Sequence, residues 1–335
     1  MDKDFYVPGL MDLSSYSLQP VEDKVEWQQF VENSDQGTLF NQPQFLDALD
    51  GSPVLWGCYK GSELRGAISL FEKDTETAFR NDLMIYNSIM LKAPDKHQSS
   101  ANQFAEQFRT ISALTRDLTT RYRSMSFQTH PSLTDIRPLL WHNYGTNLAK
   151  FCCTPRFTTI ISLSTSCEFG NNFVNSPIYL QCSKSRRQEI RYAQSKGVTV
   201  TQELDMGLFT DLYRKTFARQ GNQVDEQSLD EICRVCHSLD QNDQGAMYVA
   251  RDSHGDVGSI AVFGFDNKRA YYLYGANSAV ARQSHTGSYV LFHAFEHLMK
   301  QGINEVDLEG VNSPARGHFK MSFGGHLTPY YTVQL

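Results

Sequence analysis

The order of helical and strand-like segments in the second half of the chain constrains the fold most. Segments with apolar residues at helical spacing come first, and strand-like runs separated by short polar turns follow, which predicts an antiparallel meander. A further helix ends at Gly302, as a C-terminal cap would require, and a short strand comes last. This order predicts one α/β unit, with helices at 183–197, 207–220, 228–239 and 288–301, and strands at 245–252, 256–265, 268–277 and 304–312.

The first half gives weaker but similar signals. Residues 24–34 and 41–50 are predicted helices, the second capped by Asn41. A hairpin is expected at 53–74 and strands at 81–91 and 124–131. A helix is predicted from Ser99 and Ser100 to about Arg121, because apolar residues recur along one side of it: Phe104, Phe108, Ile111 and Leu118. Residues 134–145 are expected to form a connection, and 156–164 a strand that opens the second half. We therefore predict domains at 1–150 and 151–335.

Length, charge and apolar content narrow the class of protein. A chain of 335 residues with 40% hydrophobic residues can bury a large core, and two domains are expected. The net charge of −6 and pI near 5.9 argue against general nucleic-acid binding, so DNA is not an expected partner. The first residues lack a basic signal region and no apolar run could cross a bilayer, so we expect a cytoplasmic protein without membrane insertion.

Seven scattered cysteines are expected to be reduced thiols. The segment Cys233 to His237 has the spacing of a haem attachment site, but Leu229, Ile232, Cys233 and Cys236 also share one helical stripe. Core packing is the interpretation that we favour, and neither a metal site nor a cysteine nucleophile is expected.

The C-terminal segment 307–331, DLEGVNSPARGHFKMSFGGHLTPYY, resembles the acidic strand, glycine and FK-x-x-FGG signature of the FemABX-like, tandem-GNAT acyltransferases. Segments 183–198, 269–277 and 135–144 resemble the same family, and together these stretches cover roughly half of the chain. The resemblance implies an α/β fold of two tandem GNAT-like domains, with mixed, mostly antiparallel sheets flanked by helices and with an interdomain cleft.

The resemblance also implies a donor site for coenzyme A, as acyl-CoA, in the second domain. The strand with Tyr272, Tyr274 and Gly275 would splay from its neighbour and pair with the pantetheine arm. The loop ARQSHTG would hold the pyrophosphate at a helix N-terminus, although its glycine pattern departs from the usual one. The loop residues implicated are Gln283, Thr286, Gly287 and Ser288, and Lys320 is a further residue expected to bind the cofactor.

Catalytic candidates lie just beyond the last strand. Glu309 shares a strand face with Asp307, and burial would raise its pKa toward that of a base, but a structural carboxylate is an equal alternative. Asn312 would lie near the thioester sulfur or would only cap the next helix. His285 and His318 are alternative bases.

Two groups of residues are candidates for binding the acceptor. Arg186 and Arg187 could clamp a diphosphate. The second group is Arg137, Trp141 and Asn143, in which Trp141 could stack on a base or sugar or be a buried structural residue.

The predicted function is transfer of an acyl group to the amine of a nucleotide-linked amino sugar by direct attack. Two alternatives stay open: amino-acid transfer from aminoacyl-tRNA to a peptidoglycan precursor, with tRNA as a partner in that case alone, and a non-catalytic binding module.

Overall fold

A computed structural model describes residues 12–163, 173–279 and 283–335. The chain divides into two compact units: unit 1 runs to Arg156 and includes Pro329–Leu335, and unit 2 is Phe157–Thr328. Residues 329–335 therefore belong to unit 1, whereas the sequence predicts them in the second domain.

Unit 1 contains a mostly antiparallel sheet with one long helix. Its helices are α1 Lys24–Asn33, α2 Pro43–Leu46, α3 Ser100–Arg121 and α4 Arg137–Leu140, with a 3₁₀ turn at Leu39–Asn41. Its strands are β1 Tyr16–Pro20, β2 Pro53–Lys60, β3 Glu63–Asp74, β4 Thr77–Phe79, β5 Met90–Leu91 and β6 Ser124–Gln128, while β7 Cys152–Ser162 begins here and ends in unit 2. The strand order is β1-β2-β3-β4-β6, and residues 332–334 of the last strand pair with β6.

Helix α3 organises the core of unit 1. Ser99 caps it by accepting a hydrogen bond from the Asn102 N–H, at the predicted start of the helix. Ile111, Leu114 and Leu118 are buried against the sheet, whereas Phe104 stays 57% exposed at the N-terminal end of the helix. The predicted hairpin is confirmed, with the turn at Gly61 in the left-handed region (φ 62°).

Two predictions in unit 1 are wrong because buried side-chain amides replace the expected backbone pattern. Asn41 does not cap a helix: it accepts from Thr38 Oγ1, donates to Ser69 Oγ and is fully buried. Only Met90–Leu91 of the predicted strand at 81–91 pairs in the sheet. Asn87 bridges the carbonyl of Ser69 and the N–H of Gln128, so the chain before β5 is held by side chains rather than by a ladder.

Unit 2 follows the predicted order closely. Its helices are α5 Pro177–Gln181, α6 Lys184–Ser195, α7 Met206–Ala218, α8 Glu226–Gln241, α9 Thr286–Lys300 and α10 Pro314–Met321. Its strands after β7 are β8 Thr199–Gln202, β9 Gly245–Arg251, β10 Val257–Phe265, β11 Ala270–Asn277 and β12 Glu305–Asp307, and β13 His326–Gln334 starts in this unit. The strand order is β7-β12-β11-β10-β9-β8, in which only β11 and β12 are parallel.

Alternate residues of the central strands serve the two faces of this sheet. Tyr248 and Phe263 share one buried cluster with Phe295 of α9 and Ile190 of α6. The intervening residues point away from that cluster, and α7 and α8 contact β11 and β9. The mostly antiparallel α/β architecture expected from the sequence is confirmed. Among the residues that the structure describes, no helix is long and apolar enough to cross a membrane.

The FGG segment of the C-terminal signature is explained by close backbone contacts. Gly324 has φ 87°, and a Cβ there would lie 2.2 Å from the carbonyl oxygen of Gln181. A Cβ on Gly325 would lie 2.4 Å from Thr159 Oγ1. These glycines therefore allow the chain after α10 to pass against α5 and β7.

We predict that Gly324→Ala lowers the free energy of unfolding by about 3 kcal/mol or more, since both φ and the contact with Gln181 oppose a side chain. Gly255 is the matched control, because it has φ 86° and open space around the added Cβ. Gly255→Ala should cost about 1 kcal/mol. Urea denaturation of both variants measures the difference, and equal losses would contradict the steric explanation.

Burial on α9 makes Glu296 sensitive to pH. Burial raises the pKa of its carboxyl to about 7, against an opposing effect of the nearby Lys300. The carboxyl therefore stays protonated in the folded state up to a higher pH than in the unfolded chain, where it has its ordinary pKa of 4.5. Between these two values the folded state binds more protons, so stability falls as pH rises.

We therefore predict that Glu296→Gln matches the wild type in stability near pH 4 and is more stable by about 1–2 kcal/mol at pH 8. The amide has the shape of the protonated carboxyl and carries no charge at either pH. Urea denaturation at both pH values measures the two differences. A difference that does not change with pH would show that this carboxyl titrates alike in the folded and unfolded chains.

Candidate functional site

The candidate site lies where β11 and β12 diverge. Their parallel pairing is limited to Ala270 with Val306 and Tyr271 with Asp307. Beyond Asp307 the chain leaves β11 but continues along β7, with which β12 also pairs: Leu308 N–H donates to the carbonyl of Thr159 and Val311 N–H to that of Phe157.

The Asn312 side chain completes the pairing with β7. Its Oδ1 accepts from the Phe157 N–H at 2.8 Å, and its Nδ2 donates to the Phe157 carbonyl at 3.2 Å. Both polar atoms of the amide thus replace a ladder pair. The second half of β11 is left without a strand neighbour on this side among the described residues, and the predicted splay is present.

A β-bulge lies in β11 at the point of divergence. Val262 pairs with Tyr274 and Phe263 with Tyr272, so Leu273 is the extra residue. The bulge turns the two tyrosines to opposite faces: Tyr272 packs against the cluster around α9, and Tyr274 contacts Phe209 of α7. Gly275 leaves room for the Tyr272 side chain, since an added Cβ would lie 1.9 Å from the Tyr272 hydroxyl oxygen and would displace that ring.

Glu309 is at the centre of a charged and aromatic cluster. The prediction that Glu309 shares a strand face with Asp307 is wrong, because β12 ends at Asp307 and the Glu309 backbone is left-handed (φ 58°). The Glu309 N–H donates to Asp307 Oδ1 at 2.7 Å. Burial and then the Glu309 charge raise the pKa of Tyr272, and both also act on Tyr274 and Tyr213. We name this group the Glu309 cluster; its members are Tyr213, Tyr272, Tyr274, Glu309, Arg316 and Lys320.

Lys320 supplies a partly desolvated cation to this cluster. Its Nζ lies 5.5 Å from the centre of the Tyr272 ring. Burial lowers the pKa of its ammonium, while Glu309 and Asp307 oppose that effect. The arrangement places a cation and a carboxylate beside the free edge of β11, where a carbonyl group that gains negative charge would be stabilised.

The hydroxyl of Tyr274 is buried without a hydrogen-bond partner among the described residues. An unsatisfied buried hydroxyl costs about 1–3 kcal/mol, so its presence in the cluster needs an explanation. The groups near enough to raise its pKa after burial are Cys236 and Glu231 of α8, Glu309, and Tyr213 of α7.

The start of α9 provides the second part of the site. His285 precedes the helix with φ 56° and no side-chain cap, and its ring lies 5.9 Å from that of Tyr192. Thr286 bonds to Ser259 Oγ at 2.9 Å, and a Cβ on Gly287 would lie 3.0 Å from Asn277 Oδ1. The N-terminus of α9 is thereby fixed to the ends of β10 and β11.

The predicted phosphate loop is described only in part. Lys196 Nζ donates to the carbonyl of Gln283, which ties the loop to the end of α6. Ala281 and Arg282 of this loop lie outside the described residues. The described part of the loop is therefore its last five residues, which lead into α9.

Arg186 has intramolecular partners on all sides. Its guanidinium donates to Ser322 Oγ at 2.9 Å and to Glu189 and Ser288, and it stacks 4.3 Å from the centre of the Phe319 ring. Burial lowers the pKa of this guanidinium. Arg186 therefore joins α6, the first turn of α9 and the end of α10. Arg187 is half-buried, and no described residue pairs with its guanidinium.

The three candidates of unit 1 lie together on α4 and the loop after it. Arg137 pairs with Asp135 and lies 5.5 Å from the Trp141 ring, which is 50% exposed. Asn143 has φ 56° and donates to the carbonyl of Ala149. Trp141 is therefore not a buried structural residue.

Four of the thiols are poorly suited to nucleophilic catalysis because they are shielded from water. Burial raises the pKa of Cys58, Cys182 and Cys236 to about 12 and that of Cys153 to about 11. Cys236 is one of the buried residues of α8. Cys167 lies outside the described residues, and within the described ones no group of His, Cys, Asp and Glu side chains could hold a metal ion.

Comparison with known proteins agrees with this fold. Residues 182–321 match the family described as the acetyltransferase (GNAT) domain. Among solved structures, FemX superposes with a TM-score of 0.64 at 13% identity, covering 94% of this chain and 96% of its own. A tandem GNAT protein from the clavulanic acid biosynthesis pathway gives 0.54 at 10% identity, covering 95% and 97%. The C-terminal domain of a putative lysylphosphatidylglycerol synthetase from Agrobacterium fabrum gives 0.54 at 12%, covering 93% and 91%. No curated protein sequence matches the chain.

Residues 182–321, the stretch that matches the acetyltransferase (GNAT) domain, lie within unit 2, and the fold of the chain is similar to that of FemX and of a tandem GNAT protein. Tyr213 and Arg316 were not among the site residues predicted from the sequence. The aromatic stripe of Phe209, Tyr213 and Phe217 at a spacing of four residues was the available signal for the first.

We predict that Tyr274→Phe leaves stability unchanged or raises it by up to about 1 kcal/mol, since it removes a hydroxyl that has no partner among the described residues. Tyr271→Phe is the matched control on the same strand, because the Tyr271 hydroxyl donates to Asp266 Oδ2 at 3.0 Å. That variant should lose about 1 kcal/mol or more. Urea denaturation compares the two, and a loss for Tyr274→Phe as large as the control's would show that this hydroxyl has a partner in the folded protein.

Proposed function

We propose that unit 2 is an N-acyltransferase domain that binds acyl-CoA along the free edge of β11 and transfers the acyl group to the amine of a nucleotide-linked amino sugar, such as a dTDP-amino-dideoxyhexose. The divergence of β11 from β12 after two residue pairs carries this proposal. A strand edge with free N–H and C=O groups can pair with the amides of a pantetheine arm as a further strand would.

The start of α9 supports placement of the carrier phosphates at one end of this edge. The first N–H groups of a helix lack partners within the helix and favour a negative charge. No described side chain caps α9, and Gly287 lets the chain approach Asn277 closely. The Arg186 guanidinium donates to Ser288 in the first turn of α9. We therefore assign Arg186 to positioning this helix rather than to direct contact with a diphosphate.

The chemistry needs no covalent acyl-enzyme. The acceptor nitrogen attacks the thioester carbonyl carbon, the C–N bond forms, and the C–S bond breaks to release the carrier thiolate. Glu309 accepts a proton from the amine, directly or through one water, and the thiolate takes up a proton from solvent. A backbone N–H of β11 and the Lys320 ammonium stabilise the oxyanion of the tetrahedral intermediate.

Asn312 acts on the donor groove through the backbone. Because its amide holds Phe157, the segment after Asp307 stays with β7 and the edge of β11 stays open. This backbone role is what we propose in place of a direct contact with the thioester sulfur. Ser313 precedes α10 without a side-chain capping bond.

The acceptor side of the Glu309 cluster suits a nucleotide-linked sugar. Aromatic side chains can cover the faces of a sugar ring, and Tyr213 and Tyr272 both lie close enough to Glu309 for its charge to raise their pKa values. Arg316 is exposed nearby, and the Arg187 guanidinium on α6 has no partner among the described residues; either can bind phosphate oxygens.

The similarity of the fold to that of FemX makes aminoacyl-tRNA the alternative acyl donor to test. The net charge of −6 weighs against it, because tRNA binding requires neutralisation of several phosphates. Ligand-induced stabilisation separates the two donors: a ligand at 100 times its dissociation constant raises stability by about 2.7 kcal/mol. A thermal shift with aminoacyl-tRNA but not with CoA thioesters would overturn the proposal in favour of the second donor, and no shift with either would favour a binding module.

We predict that Glu309→Gln lowers kcat by about 10²-fold or more with little change in donor affinity, because the carboxylate acts on the amine. Asn312→Ala should instead weaken donor binding about tenfold or more, since the strand edge loses its fixed opening. Glu305→Gln, within β12, is the control and should do neither. Steady-state kinetics and calorimetric titration with CoA distinguish these effects, and near-normal kinetics for Glu309→Gln would remove the base from the mechanism.

A further inference from the structure

Unit 1 displays a cluster of exposed large apolar side chains that the proposed acyl transfer does not use. Leu140, the last residue of α4, is 47% exposed, and Tyr144 and Leu148 in the loop that follows are 76% and 65% exposed. Phe104 of α3 is 57% exposed, and Phe108, one helical turn further on, contacts Trp141 at 5.6 Å between ring centres. Exposed apolar residues normally occur singly, so a cluster of this kind marks an interaction surface.

The loop is held in shape by its own hydrogen bonds. Tyr144 N–H donates to the Trp141 carbonyl, Thr146 N–H to that of Asn143, and Asn143 Nδ2 to that of Ala149 at 2.7 Å. Asn143 and Gly145 both have positive φ, so Tyr144 is presented between two left-handed residues. The exposed side chains therefore project from a pre-organised loop, which lowers the entropy cost of binding.

An unpaired lysine lies at the edge of this apolar cluster. No Asp or Glu occurs between Ile136 and Leu163 in a protein with net charge −6. Arg137 is neutralised by Asp135, but Lys150 is exposed and has no ion pair among the described residues. The surface is thus apolar, with the Lys150 cation at its margin.

We propose that this surface, formed by Phe104, Leu140, Trp141, Tyr144, Leu148 and Lys150, docks on an anionic lipid surface. Trp and Tyr combine an apolar ring with a polar tip, and they concentrate at the boundary between headgroups and acyl chains. No described residue accepts a hydrogen bond from the Trp141 indole N–H or the Tyr144 hydroxyl, so both tips are available to headgroups and water. Lys150 adds attraction to anionic lipids. This surface belongs to unit 1, whereas the acyl transfer is proposed for unit 2.

Sedimentation of the full chain with vesicles tests the proposal, using phosphatidylcholine alone and phosphatidylcholine mixed with phosphatidylglycerol. The chain should sediment with the mixed vesicles, and Tyr144→Ser combined with Leu148→Ser should weaken binding about tenfold or more. Lys150→Glu should weaken binding to the mixed vesicles only. The matched control combines Val25→Ser and Leu327→Ser, which remove two side chains that are 62% and 54% exposed elsewhere.

Three results would overturn the proposal. The first is a chain that stays in the supernatant with both kinds of vesicle, and the second is a Tyr144 and Leu148 variant that sediments as the wild type does. The third is self-association in the absence of lipid that depends on these two side chains, which would make the surface a protein interface. Transfer to soluble acceptors should be unchanged in the double variant, so failure here is separable from failure of the proposed function.

Discussion

The hydrogen bonds that keep the chain after Asp307 on β7 are the constraint on which the site depends. Parallel strands that have started to pair normally continue to do so, because each further pair satisfies buried polar groups. Here β12 already pairs with β7 on its other side, and Leu308, Val311 and the Asn312 amide continue that pairing beyond Asp307. The Glu309 N–H bonds to Asp307 Oδ1 rather than to β11. The edge of β11 is therefore left open, and the bulge at Leu273 turns that edge into a site with two different faces.

The C-terminal signature stabilises the site through contacts that lie away from the open edge of β11. Phe319 and Phe323 cover the Arg186 guanidinium, while Arg186 holds Ser288 in the first turn of α9. Gly324 and Gly325 then let the chain pass against α5 and β7. One short segment thus fixes the helix that faces the end of β11 and positions Lys320 over Tyr272. Its residues are explained by packing and close approach before any role in chemistry is considered.

Elements with a strong period could be predicted from the sequence, whereas those set by tertiary contacts could not. The meander of β9, β10 and β11 and the helix α9 were predicted from periodicity and a C-terminal glycine, and the structure contains them. Asn41 and Asn87 could not be understood in this way, because their partners lie far away in the sequence. The same holds for Asn312, whose partner Phe157 precedes it by 155 positions. The bulge at Leu273 leaves no signal in the alternation of AYYLYGAN, so the opposite directions of Tyr272 and Tyr274 were not predictable.

Features that disfavour folding concentrate around Glu309. A left-handed glutamate, a partly desolvated lysine and a tyrosine hydroxyl without a partner among the described residues each reduce stability, and they belong to one cluster at the open strand edge. A sheet that served only to support its neighbours would gain by continuing the pairing of β11 with β12 and by filling the cluster with apolar side chains. The retention of charge and strain at this one point therefore favours a binding or catalytic role over a purely structural one.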